Sequence, residues 1–78
     1  MRELIEYIVS SLVDNPDLIQ IDQQRRGPGT NFRLQVAKED MGRVIGKQGR
    51  VANAIRILLN VAAARQGTQA SLDVEDPR

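Results

Sequence analysis

The residues whose types and spacing could do chemistry lie in one run, Gly42-Arg43-Val44-Ile45-Gly46-Lys47-Gln48-Gly49-Arg50. Gly46 and Gly49 let a backbone turn tightly and approach a ligand with no Cβ in the way, and a helix that follows presents unpaired amides and the positive end of its dipole. That combination suits phosphate. Lys47 sits between the two glycines and Arg43 and Arg50 flank them, so charge-assisted contact with a nucleic-acid backbone needs little more. The nearest alternative, a nucleotide-triphosphate loop, is disfavoured: three residues separate Gly42 from Gly46 where that loop has four, and Gln48 stands where its magnesium-binding Ser or Thr belongs.

Most other chemistries lack their residues. The chain has no Cys and no His, which removes the disulfide frame, the thiol nucleophile and the usual zinc, triad and general-base arrangements. Ser10 and Ser11 have no base to activate them. Glu39 and Asp40 fit the first turn of a helix, where negative charge favours the dipole, better than metal or acid–base work. Gly27-Pro28-Gly29 is explained by turn geometry, and Asp73, Glu75 and Asp76 by a solvated strand face and tail. No metal, cofactor or small-molecule substrate is expected. The apolar stretch from Leu4 to Val13 is interrupted by Glu6 and followed by no small-residue cleavage site, so it reads as neither signal peptide nor membrane span, and the expected address is the cytoplasm.

The elements that must position the run follow from periodicity. At 78 residues and 41% apolar, the chain is expected to form a single domain over 1–78 with a thin core. Leu4, Ile5, Ile8, Val9, Leu12 and Val13 make one helical stripe, predicting a helix from Arg2 to Asp14 that Pro16 ends. Leu18 to Gln24 and Asn31 to Ala37 read as strands, the second with Phe32, Leu34 and Val36 inward and Asn31, Arg33 and Gln35 outward. Arg25-Arg26-Gly27-Pro28-Gly29-Thr30 joins them as an antiparallel hairpin. A short helix from Lys38 to Ile45, a long one from Arg50 to about Arg65 with Val51, Ile55, Leu58 and Ala62 on its stripe, and a strand carrying Ala70, Leu72 and Val74 before Asp76-Pro77-Arg78 complete the order. The expected class is α+β, α-β-β-α-α-β, with three strands and helices on one face.

Charge is partitioned along this order. Residues 1–24 carry one base against five acids, net −4; residues 25–56 carry eight against two, net +6; residues 57–78 carry two against three, net −1. The overall +1 therefore conceals an electropositive face.

The order of elements, with Val44-Ile45 ahead of Gly46-Lys47-Gln48-Gly49, resembles a K-homology (KH) RNA-binding domain of the second topological type over nearly the whole chain. Gly42 through Arg50 resembles the KhpA family of small stand-alone bacterial KH proteins. The resemblance implies that Gly46, Lys47, Gln48 and Gly49 clamp the backbone of about four single-stranded nucleotides. It further implies that Val44, Ile45 and part of the Asn31 to Ala37 strand border a groove, and that Arg25 and Arg26 lie in a variable loop on its other side. Self-pairing, pairing with a larger Jag-type KH protein, KhpB, and a post-transcriptional or RNA-chaperone role linked to growth, division and cell shape are implied as well. The only aromatic residues, Tyr7 and Phe32, are expected at core positions, so base stacking is not expected to supply affinity. Binding should be weakly specific and fall with salt.

The long helix is apolar over more of its surface than one sheet can cover. Ala54, Ile57, Val61 and Ala64 are candidates for a second buried surface, against a partner helix or a second copy. The main rival reading is a protein-interaction module that uses this helix and binds little RNA. A small enzyme is a weaker rival, with no convergent set of residues to serve it.

Overall fold

The stripe of the first segment makes a helix because its apolar residues recur on one side of a 3.6-residue turn. In the computed structural model, which describes residues 1–75, this is α1, Arg2–Leu12, with Ile5 and Val9 fully buried and Val13 extended behind it. Pro16 fixes its own φ and offers no amide, which suits the first position of a tight turn. Pro16–Leu18 is accordingly a 3₁₀ turn, and β1 spans Gln20–Arg26 instead of starting at Leu18. Arg25 and Arg26 are thus strand residues: only Gly27 and Pro28 connect β1 to β2, Gly29–Gln35, with Arg26 opposite Gly29. Gly27 takes φ 53°, the left-handed geometry that two-residue hairpin turns require.

After a 3₁₀ turn at Lys38–Asp40 come α2, Met41–Ile45, and α3, Arg50–Arg65. They form the crossover that returns the chain to β3, Gln69–Glu75, which lies parallel to β2 in a sheet ordered β1-β2-β3. The architecture is α+β in the order α-β-β-α-α-β, as expected. The helices cover one face of the sheet, where Ile21, Phe32, Leu34 and Leu72 meet Ile5, Val9, Val44, Ile55 and Leu59 in one core. None of the described helices is long and apolar enough to cross a membrane. The expected stop at Asp76-Pro77-Arg78 lies outside the described residues.

The helix-free face is a polar lattice with Asp22, Arg33 and Asp73 in one row and Gln24, Asn31 and Ser71 in the next. Asn31 points to this face, as alternation requires, but it is buried rather than exposed. Its Nδ2 donates to Ser71 Oγ at 2.7 Å and Asp73 Oδ2 at 3.3 Å, while its Oδ1 has no partner among the described residues.

Two expectations about packing are corrected. The buried stripe of α3 is Ala52, Ile55, Leu59 and Ala63, and Leu58, expected in the core, is half exposed. Phe32 is fully buried, but Tyr7 is 74% exposed, on the side of α1 away from Ile5 and Val9.

Asp40 stands at the helix start, as expected, but its side chain has a further role. Its carboxylate makes no helix cap; it is buried and turned back toward the end of α1, where Oδ1 accepts the amide of Asp14 at 3.1 Å and Oδ2 accepts the amide and the side-chain Nδ2 of Asn15, each at 3.1 Å. Burial pushes this carboxyl up, but the three N–H donors and the Arg43 charge outweigh it and hold the group below its ordinary value of 3.8. A depressed carboxylate stabilises the fold above its unfolded-state pKa and loses that contribution as pH falls through the folded value. Asp40→Asn is therefore expected to lower the melting temperature at neutral pH and to flatten the decline of stability below pH 3.8, measured by thermal melts across acid pH; equal melting at neutral pH would contradict this role.

Candidate nucleic-acid interface

The run between α2 and α3 owes its shape to Gly46. The amide of Gly46 donates to Gly42 O at 2.8 Å and closes α2, after which the chain leaves at φ 75°, ψ 175°. That region is essentially closed to residues with a Cβ. A Cβ on Gly46 would also lie 2.8 Å from Val51 Cβ, 2.9 Å from Val51 N and closer still to Val51 Cγ2. The first turn of α3 is thus packed directly against the Gly46 backbone.

Lys47–Gly49 then forms a single 3₁₀ turn, with Gln48 at φ 57°, ψ 28° and Gly49 at φ 74°, ψ 13°. Gln48 is the one non-glycine residue with positive φ among the described residues, at a cost of about 1 kcal/mol. Strain of this kind persists where the surroundings over-determine the backbone, and it collects at ligand clamps. Within the turn Gly49 N donates to Gly46 O at 3.2 Å and Arg50 N to Lys47 O, whereas the amides of Lys47 and Gln48 have no backbone acceptor among the described residues. No side chain caps α3. The turn therefore offers two consecutive unpaired amides beside the positive end of a 16-residue helix, an arrangement that accepts anions.

The expected cations divide into two groups. Lys47 and Arg50 are exposed and have no carboxylate partner among the described residues. Arg43 reaches across to Asp14, Nη1 to Oδ1 at 3.1 Å, in a pair more than half exposed on both sides. Such a pair is worth about 0–1 kcal/mol, so a phosphate can draw the guanidinium away at little cost. Ile45 is half-buried at the base of the turn.

Two expected groups are not at the turn's surface. Val44 is fully buried in the core, so it supports the turn from beneath and does not line a groove. Arg25 and Arg26 are at the other end of the molecule: the hairpin they lead into is tied through Pro28 O to Thr68 Oγ1 at 2.6 Å, just past the C-terminus of α3. With 16 residues in α3, about 22 Å of helix separates them from the Gly46–Gly49 turn. They also project to opposite faces of the sheet, since strand side chains alternate.

Sequence reasoning missed Val51, whose signal was its place two residues after Gly49, and Asp40, which had none beyond being an acid near a helix start. The four expected interface residues, Ala54, Ile57, Val61 and Ala64, are all exposed, and Leu58 joins them.

A mixed three-stranded sheet, helices on one face and a Gly-x-x-Gly turn between the last two helices define a KH domain of the second topological type, a binding fold and not an enzyme. The chain belongs to the KhpA/KhpB KH-domain family, whose model matches residues 2–74. Among similar curated proteins, the RNA-binding protein KhpA of Halalkalibacterium halodurans is 41% identical across 97% of this chain and 100% of its own length. The protein of that name in Listeria monocytogenes is 43% identical over 95% of this chain and 97% of its own. The one in Chlamydia trachomatis is 41% identical with both chains fully covered.

The two glycines predict different costs. Gly49→Ala meets nothing within 4 Å and should lose about 1 kcal/mol from left-handed backbone alone. Gly46→Ala adds the collision with Val51 and should lose about 3 kcal/mol, only part of it recovered by adding Val51→Ala, because the Val51 amide nitrogen is also in the way. Denaturant melts would measure both, and equal costs would refute the packing argument.

Proposed function

We propose that the protein binds single-stranded RNA by its sugar–phosphate backbone through Gly46, Lys47, Gln48 and Gly49, with Arg50 and a released Arg43 as flanking cations. The observation that carries this reading is the pair of unpaired Lys47 and Gln48 amides between two exposed cations on a strained turn. The names of its relatives support RNA as the polyanion. Recognition is directed at the backbone, because Phe32 is buried and Tyr7 lies on α1 away from the turn, which leaves the site without an aromatic platform. Sequence preference is therefore weak and affinity depends strongly on salt.

The exposed face of α3 favours pairing as part of that function. Ile57, Leu58 and Val61 are each at least half exposed, and burying them against a second copy or a KhpB-type KH protein would join two modest RNA sites into one of higher avidity. A post-transcriptional or RNA-chaperone role in the cytoplasm, bearing on growth, division and cell shape, is the physiological reading that goes with this family.

Lys47→Asp plus Gln48→Asp should weaken binding of a short single-stranded RNA by more than about tenfold and reduce the steepness of its salt dependence, with the melting temperature near wild type; unchanged affinity would sink the clamp. For the paired face, Ile57→Glu or Val61→Glu should lower the mass measured by sedimentation while the domain stays folded. A wild type that sediments as a monomer alone and with a KhpB-type protein would count against pairing.

A further inference from the structure

Glycine is the poorest helix former after proline, so a glycine within a helix calls for a reason. Of the chain's six glycines, Gly27, Gly46, Gly49 and Gly67 have positive φ, and a Cβ on Gly29 would lie 3.0 Å from Gln69 O. Gly42 has neither reason. It is the second of the five residues of α2, its φ is not positive, and a Cβ there would meet nothing within 4 Å. Neither backbone geometry nor packing within the chain keeps a side chain out of this position.

The surroundings of that bare position belong to the nucleic-acid turn. Val44 is fully buried in the core, and Gly42, two residues back, is about 160° round the helix from it. Gly42 accordingly faces outward and is exposed. It shares a side of the helix with Gly46, four residues on, whose amide donates to Gly42 O at 2.8 Å. The rise between them is about 6 Å, so the strip lies one turn behind the Lys47 and Gln48 amides. Ile45 is half-buried alongside, and Arg43 is turned aside to Asp14. With neither a charge nor a side chain of its own, the strip suits the uncharged part of a nucleotide. Such a group reaches van der Waals contact with a helix backbone only where no Cβ holds it off.

We propose that Gly42 is the floor of a nucleotide subsite. The ribose and base of the nucleotide adjoining the phosphate at Lys47 and Gln48 lie against the α2 backbone there, with Ile45 at their edge. This inference rests on the proposed backbone clamp and adds a place for the part of a nucleotide that is not phosphate. Helix stability is given up for that contact, so stability and affinity are opposed at this position.

The test is Gly42→Ala and Gly42→Leu in the full chain, each followed by thermal melting and by anisotropy titration of a fluorescein-labelled short oligouridine. Both introduced residues are strong helix formers, so both variants should melt about 2–6 °C above wild type. Affinity should fall with side-chain size, by about fivefold for Gly42→Ala and by more than about twentyfold for Gly42→Leu. A lower melting temperature for Gly42→Ala would overturn the proposal by showing that the glycine serves the fold. Equal losses of affinity in the two variants would overturn it by showing that stiffness and not space is what matters. Lys47→Asp plus Gln48→Asp separates this inference from the clamp beneath it. If that variant binds like wild type, the clamp fails and the subsite with it; if it loses binding while Gly42→Ala keeps wild-type affinity, the clamp stands and the subsite alone is overturned.

Discussion

The close approach of the Gly46 backbone to Val51 is the constraint on which the site depends. Because there is no Cβ at Gly46, the first turn of α3 can pack onto it, and α2 and α3 can be joined by a single 3₁₀ turn. With so short a joint, the chain must reverse through left-handed geometry at both Gln48 and Gly49. The reversal leaves the Lys47 and Gln48 amides without acceptors among the described residues. One missing side chain thus accounts for the strain, the exposed donors and the position of Lys47, and the fully buried Val44 anchors the joint from below. Asp40 acts one step further back: by gathering the N–H groups of Asp14 and Asn15 it ties the end of α1 to the start of α2, so the helix that carries the turn cannot shift independently of the core.

Electrostatics then separates the surfaces. The basic middle of the chain is not gathered at one point, since Arg56 Nε is latched to Leu72 O at 3.0 Å, Arg33 to Glu75 at 3.5 Å and Arg43 to Asp14. Near the turn, Lys47 and Arg50 have no carboxylate partner among the described residues. In the proposed reading, a site of two such cations and two amides would hold a strand by a few phosphates and no more, which is the physical reason to expect modest affinity from one copy and a benefit from two. The acidic first segment supplies Asp14, the carboxylate that holds Arg43.

Much of this was legible in the sequence. The element order followed from periodicity and from Pro16, and the expected long helix from Arg50 to about Arg65 matches α3. The turn stood out through its context, because two glycines at a helix junction more often serve only as caps and it was the order of elements around them that resembled a KH domain. The phase of α3 was not legible: eleven of its 16 residues are apolar, so several stripes fit, and only the sheet decides that Leu59 is buried and Leu58 exposed. Tyr7 misled for a related reason, since it lies next to the α1 stripe and its exposure depends on a groove that tertiary packing leaves open. Asn31 was assigned to the correct face, but strand alternation carries no information about the polar neighbours that cover it. The resemblance placed the hairpin arginines in a loop across the groove from the turn, whereas they are β1 residues and the parallel run of β2 and β3 brings the hairpin to the far end of α3.

The central claim is that RNA is held by the backbone amides of the Gly46–Gly49 turn. Titrating isotope-labelled protein with a short single-stranded RNA and following every amide resonance addresses it directly. The account predicts that the Lys47 and Gln48 amides move furthest, in the direction of stronger hydrogen bonding, and return as salt is raised. RNA binding that leaves those two amides unmoved and shifts residues elsewhere would contradict it.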